Sequence, residues 1–301
     1  MNFLFFILAV VLAPLLPGIV NQTKAFFAGR RGPGFFRLYF DLWKLLRKSC
    51  PRSTTSTWLF DLAPAISLAA TLVAGMVFPW TLDTATALSG ISAVLFFYLL
   101  GTGRFFTVLG ALDTGSAFEG MGASREVQFS ALVEPIVFVI FGFLVLATGQ
   151  TSLAGLLAGY DAGAWAHHSI SLVLAVLAFF AVLLSECCRV PFDDPETHLE
   201  LTMIHEAMIL DNAGPDLAFI LYGAAFKMML LAAFLVALLL PALPLAAPAK
   251  AALLLASTLG VAVLVGIVES VMARMRFLKT PQVLSGALMV AILATLLFVL
   301  F

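Results

Sequence analysis

Eight apolar stretches run through this chain, near residues 3–20, 58–80, 85–101, 129–147, 169–185, 217–240, 250–272 and 282–301, and nothing else in it narrows the fold so far. Each is close to the roughly 20 residues that a helix needs to cross the hydrocarbon of a bilayer. Inside hydrocarbon every backbone N–H and C=O must find its partner within the protein, so these stretches are expected to be helices. Composition agrees: 62% of residues are hydrophobic and 11% charged, where a soluble domain carries about 45–50% and about 25%. The expected fold is all-α, an integral membrane bundle of eight transmembrane helices forming a single domain over residues 1–301. The first stretch follows no basic segment and precedes no small-residue cleavage site, so it is expected to stay in the mature protein.

Charge alternates between the two sides. The loops expected at 21–57, 102–128, 186–216 and 273–281 hold 14 of the 16 Lys and Arg residues. The positive-inside rule puts these loops in the cytoplasm and both termini outside. Cys50, Cys187 and Cys188 fall on the reducing side without CxxC spacing, and offer neither a disulfide framework nor an iron–sulfur ligand set. There is no GxGxxG, Walker sequence, nucleophile elbow or haem-ligand pair, and no basic soluble surface for nucleic acid. No catalytic, cofactor or metal residue is expected in this chain.

The charged loops carry the remaining signal. After a Gly29–Gly34 turn, Arg37, Asp41, Lys44 and Lys48 recur three or four apart and leave Phe36, Phe40 and Trp43 elsewhere, which predicts an amphipathic interfacial helix. It can anchor to lipid or dock a partner subunit, with Arg30, Arg31 and Arg37 the basic contacts. The glycine-rich third loop holds Arg104, Asp113, Glu119, Arg125 and Glu126, and leads to Glu134-Pro135 inside the fourth span. A carboxylate there is a functional candidate, the alternative being a structural pair with a base such as Lys227.

From Glu186 to Asp216 eight acids face one base, Arg189. Asp194 suits a helix cap and Pro195 the first helical position, so a helix carrying Glu196, His198, Glu200, His205 and Glu206 is expected to begin there. Glu196 and Glu200, four apart, share a face, raise each other's pKa and can pass a proton through water. His198 and His205, seven apart, lack the order of a zinc site. Glu134, Glu186, Lys227 and Glu269 are ionisable groups within or at the ends of spans: aligned they would form a relay, separate they would be ion pairs.

On Glu186-x-x-Arg189-x-Pro191-Phe192-Asp193, on Glu196 and Glu200-Leu201 downstream, and on Arg31-Gly32-Pro33, the chain resembles the subunit 1 family of respiratory complex I. The run from Pro191 to Met208 is more similar to the hydrogenase branch of that family, the membrane subunits of formate hydrogenlyase-like group 4 NiFe-hydrogenases. The resemblance implies a subunit of a prokaryotic inner membrane that lies beneath a soluble module. Its partners would be hydrogenase large and small subunits, an iron–sulfur protein, antiporter-like membrane subunits and the lipid bilayer. The NiFe centre and iron–sulfur clusters would belong to those partners, leaving at most a bound lipid here. It further implies that Glu126, Glu186, Asp193, Glu196 and Glu200 belong to an acidic proton path, with Arg189 and Asp194 stabilising the loop. His198 and Gly34 stand where the quinone branch usually has glutamate and asparagine. Energy coupling through Glu126, Glu134, Glu186, Asp193, Glu196, Glu200, Glu206, Lys227 and Glu269 is the leading expectation. The alternatives are a quinone-chamber subunit of a NADH dehydrogenase, a stand-alone secondary ion transporter and a mere anchor.

Overall fold

The computed structural model describes residues 1–51, 56–82, 90–158, 162–193, 203–240 and 245–300. Among the described residues regular structure is all helical, apart from one isolated bridge between Ser92 and Ser152. Seven helices are long and apolar enough to span a membrane, and the first two helices together make an eighth when counted as one bent span.

That bent span is α1 (Asn2–Leu12) and α2 (Leu15–Phe27), which meet at 45°. Pro14 lies between them and Pro17 in the first turn of α2; proline brings no N–H and its ring disturbs the preceding turn. The short α3 (Arg37–Leu45) follows, with none of its residues buried. Phe40 and Trp43 on it and Phe36 at its cap are exposed, while Arg37 and Asp41 pair across one turn at 3.5 Å. This is the expected interfacial helix, and the Tyr39 hydroxyl fastens it to α1 by donating to the Val11 carbonyl at 2.5 Å.

Next come α4 (Trp58–Val77) and α5 (Ala93–Asp113), packed along each other. Thr57 caps α4 by accepting from the Leu59 N–H, and its own N–H and hydroxyl donate to Asp113 at 2.7 and 2.8 Å. One carboxylate thus ties the end of α5 to the start of α4. Residues 102–128, expected as a loop, are mostly helical: α5 continues to Asp113 and α6 spans Ala117–Thr148. Membrane helices carry more glycine than soluble ones, and the turn is confined to 114–116, where Gly115 takes φ 68°. At 32 residues α6 is about 48 Å long, longer than the roughly 30 Å of hydrocarbon, so part of it stands outside the bilayer.

The remaining elements are α7 (Leu153–Ala158), α8 (Ala162–Glu186), α9 (His205–Met208), α10 (Gly214–Leu239), α11 (Ala247–Val271) and α12 (Thr280–Leu300), the last preceded by a 3₁₀ turn over Phe277–Lys279. Helix α10 is the axis of the bundle. It packs on α1, α2, α3, α4, α7, α8 and α11, and nearly every residue from Ala225 to Leu238 is buried. The helix expected to start at Pro195 falls, with Asp194, Glu196, His198 and Glu200, outside the described residues.

Candidate functional site

The site is built by register. Phe97 of α5, Phe141 of α6, Phe179 of α8 and Phe234 of α10 form one aromatic layer, with ring centroids 4.9 Å apart for Phe97–Phe141, 5.4 Å for Phe97–Phe234 and 4.7 Å for Phe179–Phe234. Seven residues away on the same four helices, toward the charged-loop end, stand Arg104, Glu134, Glu186 and Lys227. Seven residues are about two helical turns, or about 10 Å, so each charge lies on the same face as its phenylalanine. Four rings in one layer and four charges in the next are therefore a consequence of spacing.

Within the charged layer Glu186 is the hub. It accepts from the guanidinium of Arg104 and pairs with Lys227 Nζ at 2.6 Å, and Arg104 also reaches Glu134 Oε1 at 3.0 Å. The sequence alternative of a Glu134–Lys227 pair is not what forms; Arg104 takes Glu134 and Glu186 takes Lys227. Such a chain satisfies each charge by an opposite one, which a low-dielectric interior requires. Arg104 is the residue that sequence reasoning missed. It read as part of a loop, although Phe105, Phe106, Val108 and Leu109 continue the apolar pattern beyond it.

Beside this layer a cavity of about 80 Å³ is lined by Arg104, Glu126, Glu186, Cys188, His205 and Lys227, and also by the hydroxyl residues Ser67, Thr71 and Thr107. That is room for several water molecules, and the lining supplies their partners. Glu126 makes no ion pair shorter than 4 Å among the described residues. Burial pushes His205 down to about 4 and Cys187 up to about 11, and drives Cys188 well above the ordinary thiol range. The imidazole is thus neutral and both cysteines stay protonated at neutral pH.

His205 and Met208 of α9 line the cavity. Gly122 lets α9 approach α6: a Cβ there would sit 2.8 Å from the Ile204 carbonyl oxygen and 2.9 Å from Ala207 Cβ. Arg125 donates to the Met203 carbonyl at 2.8 Å. Asp193 accepts from Arg274 at 2.6 Å and from the His205 N–H at 3.3 Å, so one carboxylate holds the α8–α9 connection to the segment before α12. Glu119, fully buried, accepts from the Asp211 N–H at 3.1 Å.

Glu269 stands apart from the relay it was grouped with. Its side chain is fully buried between Arg189 at 3.5 Å and Lys24 at 3.2 Å, clamping α11 to α2 and to the loop after α8. Glu206 is half-buried on α9, and Arg30, Arg31 and Arg37 are exposed around the interfacial helix. Among the described residues no group of three or more His, Cys, Asp or Glu is placed to hold a metal ion.

Fold and site together define a polytopic helical membrane protein with an ion-paired core. The family model described as NADH dehydrogenase matches residues 1–300, and the chain belongs to that family, the one its Glu186–Leu201 segment resembles. Hydrogenase-4 component C of Escherichia coli is 34% identical over 278 residues, 90% of this chain and 87% of that protein. Formate hydrogenlyase subunit 4 of the same organism is 29% identical, over 90% of this chain and 89% of its own. A chain in the structure of the membrane-bound sulfane sulfur reductase, an archaeal respiratory membrane complex, superimposes with TM-score 0.84 over 98% of this chain and 97% of that one. At 19% identity that likeness is one of fold.

Proposed function

We propose that this chain is the membrane anchor and energy-coupling subunit of a NiFe-hydrogenase complex of formate hydrogenlyase type. Hydrogenase large and small subunits and an iron–sulfur protein dock on the charged-loop end, and antiporter-like subunits lie alongside in the membrane. The names and coverage of the two bacterial relatives support the hydrogenase branch. The charge distribution supports a cytoplasmic face at the loops carrying Lys24, Arg189 and Arg274 and both termini on the other side.

The observation that carries the coupling role is the charged layer sealed on one side by phenylalanines and opened on the other by a polar cavity. A redox event in the docked module changes the electrostatics at α9 and the loop after α8. Asp193 and His205 pass that change to a cavity holding Glu126, Glu186 and Lys227. Coupling of this kind needs two states whose proton affinities differ, and a paired network with one carboxylate left over supplies them. Glu196, Glu200 and Glu206 would extend the acidic path toward the partner, with Asp194 holding the loop.

Purification of the chain from its native membrane tests the assignment. NiFe-hydrogenase subunits should copurify, with hydrogen evolution and no quinone reduction. Quinone-dependent activity with sensitivity to quinone-site inhibitors would instead support the NADH dehydrogenase reading, whose name the family model carries. Ion flux in liposomes holding this chain alone would support a stand-alone transporter.

A further inference from the structure

We propose that the groove between α5 and α6 seats a membrane-spanning helix of a neighbouring subunit, and that this helix brings a cationic side chain to Glu134. The proposal rests on the reading of the chain as one subunit of a membrane complex.

Depth comes first. Glu134 lies fourteen residues from Thr148 at the far end of α6, about 21 Å along the axis. Of a hydrocarbon layer about 30 Å thick, about 9 Å then separates it from the charged-loop boundary, farther than a glutamate can snorkel. Yet its side chain is 58% exposed in the isolated chain, while Arg104, Lys227 and Glu186 are 13%, 15% and 14% exposed. One member of the charged layer therefore faces outward at a depth where acyl chains can give it no hydrogen bond.

Charge comes second. The cavity and the layer together hold two cations, Arg104 and Lys227, against three carboxylates, Glu126, Glu134 and Glu186; burial keeps His205 neutral. Lys227 is taken by Glu186, and Glu134, whose one cation among the described residues is the Arg104 it shares with Glu186, is the member that an outside group can reach. Arg104 cannot supply more, since it already serves Glu186.

Shape comes third. Glu134 opens into a cavity of about 60 Å³, lined by Val94, Tyr98, Val133, Val137 and Phe138 along with Arg104 and Glu186. Tyr98 and Phe138, 60% and 46% exposed with rings 6.4 Å apart, form its rim. Such an apolar trough with one outward-facing acid fits an apolar helix bearing a single Lys or Arg.

The test uses the intact complex in its native membrane, with a photoreactive benzoylphenylalanine placed at Tyr98 or Phe138. Both positions should crosslink to the same membrane-spanning subunit, within two helical turns of a Lys or Arg. Glu134→Lys should lower recovery of that subunit by about tenfold, the factor that 1.4 kcal/mol represents, and exchanging the partner's base for Glu should restore it. Crosslinks to lipid only, to a second copy of this chain, or to a segment without Lys or Arg would overturn the proposal, as would full retention of the partner by Glu134→Lys. If hydrogenase subunits are missing from the complex, the functional reading falls while the crosslink still reports on the groove. If hydrogen evolves and only lipid is labelled, the docking alone falls.

Discussion

Glu269 and Asp41 show how differently the same residue chemistry counts. Glu269 is buried between Arg189 and Lys24, and removing one member of a buried pair leaves uncompensated charge costing about 3–5 kcal/mol. Asp41 pairs with Arg37 across one exposed turn, a contact worth about 0.3–0.5 kcal/mol. Glu269→Gln should therefore lower the melting temperature in detergent sharply and Asp41→Asn scarcely at all; equal shifts would refute the assignment. His205 sets a pH limit. Burial holds it near 4 against 6.5 when free, so between those values the opened chain binds a proton that the folded one refuses. Stability should fall as pH drops from 6.5 toward about 4, and His205→Gln should flatten that fall; an unchanged slope would show that His205 does not titrate this way. Glu134, Glu186 and Lys227 were legible in the sequence because charge stands out against hydrocarbon. Their pairing was not, because it depends on helix rotation that no single segment encodes.

Among the elements, the helices were legible where apolar runs were long and uninterrupted, as in α10 and α12. The stretch 102–128 misled because Gly103 and Gly110 read as loop residues while serving as contact points between helices: they face Ser67 and Ala63 of α4. Close approach also governs α2 and α11, where a Cβ on Gly266 would sit 2.7 Å from Thr23 Cβ and 3.0 Å from the Val20 carbonyl oxygen. Gly266→Val should pry these helices apart, at about 1–3 kcal/mol for the overpacking, and loosen the Lys24–Glu269 pair. A melting temperature equal to that of the unaltered protein would contradict this. The phenylalanine layer makes a functional prediction. Phe234→Ala should destabilise the bundle by about 3–5 kcal/mol and let vesicles lose a proton gradient faster at rest, while Phe234→Leu keeps the seal. A resting leak no faster in Phe234→Ala would mean that the rings do not form the barrier.

At the scale of the molecule, asymmetry is the organising feature. One end carries the interfacial helix, α9 and the loops pinned by Asp193 and Glu269; the other carries α7 and the ends of apolar helices. Between them, charged side chains occupy one layer and aromatic rings the next. The asymmetry of loop charge was readable from the sequence. The seven-residue offset that stacks rings on charges was also present there, but becomes meaningful only once α5, α6, α8 and α10 are known to surround one another. The central claim, that the cavity acids couple redox chemistry to ion movement, is tested most directly at Glu126, which lines the cavity without an ion pair among the described residues. In inverted vesicles holding the whole complex, protons moved per hydrogen evolved should be measured for the unaltered chain and for Glu126→Gln. The account predicts a much lower ratio with hydrogen evolution maintained; an unchanged ratio would contradict it.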